Sequence, residues 1–127
     1  MELDPLTEAL KTHLDAYPGA VATAVPVPAN RPTPALMYKV KDKLFAILAV
    51  RGEPSVILKC DPHLVDVLRE QYAAIGHRSH LDRRFWICVT LGSDVPDHDV
   101  ERLVAQSYDI VRAGLTRRQK AELDASG

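Results

Sequence analysis

Residues 36–60 read LMYKV KDK LFAILAV RGEP SVILKC: three short apolar runs divided by two polar turns. The runs at 36–40, 44–50 and 55–60 have strand length and strand residues. The links Lys41-Asp42-Lys43 and Arg51-Gly52-Glu53-Pro54 are too short for the crossover a parallel pair needs. These strands therefore form an antiparallel meander. In the last of them a period of two puts Val56, Leu58 and Cys60 on one face, toward helices, and Ile57 and Lys59 on the other.

Helical signals flank this centre. Asp4-Pro5 is a cap followed by a first-turn proline, and Leu6, Leu10, His13, Leu14 and Tyr17 recur at helical spacing until Pro18-Gly19. A short strand is expected at 21–27. Pro26, Pro28, Pro32 and Pro34 then preclude a regular ladder, so an extended surface loop is preferred over a proline-rich ligand motif. Downstream, Asp61-Pro62 repeats the cap signal, with Leu64, Val65, Leu68 and Tyr72 as the stripe of a second helix ending near Gly76. A strand follows at 85–91, with Phe85, Ile87, Val89 and Leu91 toward the core and Trp86, Cys88 and Thr90 opposite. A third helix runs from Pro96 to Gly114, with Asp97 and Asp99 complementing its dipole. Thr116 and Gln119 form the capping box of a fourth. The expected class is α+β, an antiparallel sheet with helices packed on one face, as one domain over 1–127.

Composition narrows the chemistry. The 127 residues are 46% hydrophobic and 26% charged, with net charge −1, so any cationic surface for nucleic acid has to be local. The longest apolar run falls well short of the ~20 residues that span a bilayer, and the acidic start Met1-Glu2-Leu3-Asp4 is unlike a secretory signal. A cytoplasmic, monomeric protein without membrane contact is expected. The glycines form no phosphate-binding loop, and neither a nucleophile elbow nor a His-Glu-x-x-His zinc motif occurs. His77 and His80 with Cys60 or Cys88 could compose a mixed metal site, but the spacing is not that of a structural zinc, and no metal or cofactor is expected. Cys88 as a nucleophile would need a base and an electropositive setting. No catalytic residue is assigned.

Leu58-Lys59 before Asp61-Pro62, then His80-Leu81-Asp82-Arg83-Arg84-Phe85-Trp86, Val95-Pro96 and Ser107-Tyr108, resemble the MmcQ/YjbR family of small bacterial proteins. Tyr17-Pro18-Gly19 and Lys43-Leu44-Phe45-Ala46 extend the similarity over nearly the whole chain. The resemblance implies a frataxin/CyaY-like sandwich and a DNA-binding function with a double-wing motif, outside enzymology. Two departures stand out: where the family carries His-x-Asn-Lys, this chain has His80-Leu81-Asp82-Arg83, which keeps the cation and loses an amide, and the early proline loop is longer than the family's usual one.

The expected site follows from facing and charge. Lys59 and Trp86 share the sheet face away from the helices. Arg78, Arg83 and Arg84 would border them, with His80 beside Trp86, giving phosphate contacts around an aromatic surface on which a base could stack. Two alternatives stay open. Trp86 could close the edge of the core under Lys59 and Arg83 as ordinary cation-aromatic packing, or the same face could receive a protein or small ligand. An enzyme using His80 with Cys88 or Tyr108 trails both. Ser107 and Tyr108 are expected to pack on the sheet, their hydroxyls satisfying buried polar groups, with a binding role as the alternative.

Overall fold

The computed structural model describes residues 5–24, 35–49, 54–76 and 81–126. Along the chain these form α1 (Pro5–Asp15), β1 (Ala20–Ala24), β2 (Ala35–Val40), β3 (Lys43–Ala49), β4 (Ser55–Lys59), α2 (Pro62–Gln71), β5 (Ile75–Gly76), β6 (Trp86–Thr90), α3 (Asp97–Ala113) and α4 (Arg117–Ser126). The expected cap at Asp4, the proline segment and the turn at 51–53 lie outside the described residues.

The hairpin between β2 and β3 turns through Lys41 and Asp42, both with positive φ (48° and 65°), the primed geometry that matches the right-handed twist of paired strands. The six-stranded sheet has the order β1-β2-β3-β4-β6-β5, and every pair is antiparallel. Tyr38, Val40, Ala46, Leu48, Val56, Leu58, Ile87 and Val89 are buried on its helix-covered face. Leu10 and Leu14 of α1, Val65 of α2, and Val100, Leu103, Val104 and Val111 of α3 fill the other side of this core. The α+β arrangement expected from the sequence is the one observed. Among the described residues no helix is long and apolar enough to cross a membrane.

At one point the β2/β3 register slips. Tyr38 pairs with Ala46 but Lys39 with Leu44, which makes Phe45 the extra residue of a bulge. Phe45 and Ala46 are consecutive and both fully buried, a pattern that simple alternation forbids. The Phe45 ring meets Tyr108, Tyr17 and Tyr38 edge-on, at centroid distances of 5.3, 6.0 and 6.2 Å.

Three expectations need correction. Helix α2 stops at Gln71, not near Gly76: Tyr72 is extended, and the Asp94 carboxylate accepts hydrogen bonds from Ala73 and Ala74 N–H at 2.8 and 3.1 Å. The chain is thereby turned back, so that Ile75–Gly76 pairs with β6 as an edge strand. Phe85 is half-buried in the turn before β6 rather than part of the core ladder. Leu6 and Leu64, read as part of the apolar stripes of α1 and α2, are exposed (39% and 40%), Leu6 lying beside Gly92 and the start of α3 without being covered.

Candidate functional site

Where β4 gives way to α2, the end of β4, the start of β6 and helices α2 and α3 meet at one end of the sheet. Lys59 is the register partner of Trp86, so the two side chains stand side by side on the face away from the helices. Lys59 Nζ lies 5.9 Å from the centre of the Trp86 ring, and both residues are half-buried. The pair expected from the strand period is therefore present. It borders an open cleft of about 510 Å³, lined also by Cys60, His63, Phe85 and Ile110. The floor is formed locally: Asp61 caps α2 by accepting from His63 N–H at 2.9 Å, and Cys60 N–H extends the β4/β6 ladder by donating to the Phe85 carbonyl at 2.6 Å.

The loop leading into Trp86 is organised by Asp82. Its carbonyl accepts from the N–H groups of Phe85 and Trp86 at 3.0 and 3.1 Å, and its carboxylate from Arg84 N–H at 2.9 Å. The same carboxylate takes the Arg84 guanidinium through Nε at 3.1 Å and Nη2 at 2.8 Å. An asparagine could make the turn, but only a carboxylate can also match the guanidinium charge. Arg84, expected to contact phosphate, thus has its charge answered within the loop while it lies over the Phe85 ring at 5.3 Å. Arg83 is exposed and forms no ion pair among the described residues. Arg78 and His80 lie outside the described residues. Of the expected cations the structure thus brings Lys59 to Trp86 and leaves Arg83 with its charge available.

Ser107 and Tyr108 are buried and fully engaged. The β3/β4 ladder ends at Ala46↔Leu58, so Phe45 and Lys59 come next in register. Between them stands the Ser107 hydroxyl, accepting from Lys59 N–H at 2.9 Å and donating to the Phe45 carbonyl at 2.5 Å. It bridges the backbone groups that the bulge leaves without direct partners. Tyr108 OH donates to the Pro18 carbonyl at 2.7 Å, and its ring stacks on Tyr17 at 4.8 Å. Burial raises the Tyr108 pKa. Both side chains tie α3 to the sheet and to the turn before β1. Sequence reasoning missed Asp82 and Asp94 as turn-makers, although each is an aspartate placed just before a change of direction.

Cys60 and Cys88 do not converge. Cys60 continues the buried side of β4, whereas Cys88 pairs with Ile57 and Gly76 and belongs to the opposite face. Burial, and then the charge of Asp61, push the Cys60 thiol up to about 11, the wrong direction for a nucleophile at neutral pH. With relative exposures of 4% and 3%, both thiols are expected to resist a disulfide exchange reagent at pH 8 and to react only in denaturant. A native-state burst of one equivalent of released thiolate would contradict this.

Comparison with known proteins identifies relatives of this chain and of its fold. A stretch of 75 residues is 37% identical to the uncharacterized protein YjbR of Escherichia coli K12, covering 58% of this chain and 64% of that one, so the match spans less than two-thirds of the relative. A stretch of 85 residues is 27% identical to the uncharacterized protein YbdF of Escherichia coli O157:H7, covering 66% of this chain and 70% of that one. The crystal structure of the Deinococcus radiodurans protein DR2400, of the DUF419 domain, superposes with a TM-score of 0.78 at 28% identity over 92% of this chain and 86% of its own. A Pseudomonas syringae protein shares the fold at 18% identity, with a TM-score of 0.62 over 87% of this chain and 99% of its own. The YjbR family model matches residues 16–110, from the Tyr17 turn through the meander and the Lys59–Trp86 pair to the end of the Ser107–Tyr108 contact, and the chain belongs to the YjbR family.

Proposed function

We propose that this YjbR-family domain binds DNA without catalysis, holding phosphates with Lys59 and Arg83 and offering Trp86 to an unpaired base. The observation that carries the proposal is the Lys59–Trp86 pair on the rim of an open cleft, an ammonium group beside an indole on an outer sheet face. Because Asp82 answers the Arg84 charge, Lys59 and Arg83 are the expected cations left at the site among the described residues, and phosphate contacts from these two alone would support only weak, salt-sensitive binding. Single strands, which can add stacking, are favoured over duplex for that reason.

Fluorescence anisotropy of labelled single-stranded and duplex DNA across a salt series tests this. With about two phosphate contacts the log–log salt slope is expected near −1.4 on single strands. Arg83→Glu should weaken binding on both substrates and make the slope shallower by about one contact. Trp86→Ala should weaken single-strand binding by roughly five- to 150-fold, the equivalent of about 1–3 kcal/mol for one stacked base. If no saturable binding appears at low salt, or both variants bind like the parent, the DNA assignment falls.

A second reading has its own observation, the apolar contribution of Phe85 and Ile110 to a cleft large enough for a small molecule. The chain's single tryptophan lies on that cleft, so quenching of its fluorescence by a small ligand or peptide that leaves DNA binding untouched would favour it.

A further inference from the structure

We infer that β1 is a self-association edge, on which a second copy of this chain adds its own β1 antiparallel across a two-fold axis at Ala22. The strand ends the sheet, pairs only with β2 among the described residues, and exposes four of its five side chains, with Val21 at 61%. An edge presents a row of unpaired N–H and C=O groups, which proteins usually guard with lysine, proline, a bulge or a covering element. The sequence Ala20-Val21-Ala22-Thr23-Ala24 holds no charge and no proline, and its pairing with β2 is regular throughout.

What selects a second copy over a foreign strand is self-complementarity. Antiparallel pairing centred on Ala22 sets Val21 against Thr23 of the other copy and Ala20 against Ala24, so that β-branched residues of nearly equal volume meet twice by symmetry. Register with β2 extends the match. Val21 pairs with Lys39 and Thr23 with Met37, and Met37 begins a cross-sheet row running through Ile47 and Ile57 to Cys88. In the dimer Met37 and Thr23 of one copy continue into Val21 and the aliphatic stem of Lys39 of the other. No like charges oppose each other in that row. Such a two-fold pair joins two copies through one continuous sheet, in place of the monomer expected from the sequence, and the two are told apart by the test below.

The test is positional. In an antiparallel pair a residue on the axis faces its own copy at about 4.5–5.5 Å between Cα atoms, within disulfide range, whereas residue 21 of each copy would be more than about 7 Å apart, outside it. Under mild oxidation Ala22→Cys should give a disulfide-linked dimer at micromolar concentration, while Val21→Cys and the parent, whose own thiols are buried, should not. In sedimentation velocity the parent should show a concentration-dependent monomer–dimer equilibrium, and Val21→Lys, on a largely exposed position, should weaken it at least tenfold. A parent that stays monomeric to hundreds of micromolar overturns the inference. So does cross-linking that is equal at positions 21 and 22, or a Val21→Lys variant that dimerises like the parent.

Discussion

Ser107→Ala is expected to lower the unfolding free energy by about 2–4 kcal/mol, far more than deletion of one surface hydroxyl. The side chain is fully buried, and its oxygen serves Lys59 N–H and the Phe45 carbonyl together. Removing it strands a donor and an acceptor, each costing about 1–3 kcal/mol when desolvated without a partner, less whatever the two regain by approaching each other. Urea unfolding should show a lower midpoint with an unchanged slope. Ser93→Ala is the control. Its hydroxyl also serves two backbone groups, donating to the Thr90 carbonyl at 2.6 Å and accepting from Val95 N–H at 3.3 Å, but the side chain is exposed, so water can replace it and its loss should cost no more than about 1 kcal/mol. A Ser107→Ala shift no larger than the control would mean that Phe45 and Lys59 pair directly and that the hydroxyl bridge is dispensable.

Phe45→Ala should cost about 3–5 kcal/mol, the largest single loss expected in the protein. The ring is fully buried and meets three tyrosine rings edge-on, so its removal opens a cavity among them. Phe45→Leu, which keeps more of the volume, should recover a substantial part of the loss. Because the Phe45 backbone is also the acceptor of Ser107, the double variant with Ser107→Ala should fall short of the sum of the single effects. Thermal or urea unfolding monitored by the fluorescence of Trp86 reports all of these. Strict additivity would show that the bulge and the α3 contact act independently.

The bulge and its serine also explain the position of the candidate site. The ladder between β3 and β4 opens at Lys59, α3 closes the opening from the helix side through Ser107, and β4 turns toward α2 with Lys59 held beside Trp86 on the outer face. A structural defect in Ser107→Ala should therefore disturb the cleft as well as the core. Trp86→Ala should alter the cleft with less effect on stability, since that side chain is only half-buried.

Much of this was legible in residue order alone. Periods of two in 55–60 and of 3.6 in α3, the cap at Asp61-Pro62 and the reciprocal Thr116–Gln119 bonds all depend on near neighbours, and the structure has them where those neighbours dictate. The facing of Lys59 and Trp86 followed for the same reason, because alternation along a strand is a local property. What could not be read were the choices made between distant segments. Phe45 becomes a bulge residue only because β2 offers one partner fewer, and Ile75–Gly76 becomes a strand only because Asp94, some twenty residues on, captures its approach. Arg84 is answered by its neighbour Asp82 because the turn between them folds the carboxylate back over the guanidinium, a loop geometry with no period to announce it. Local backbone preference sets which face a side chain takes. Which groups end up without water, and who satisfies them, is decided only when strands and helices from far along the chain close on one another.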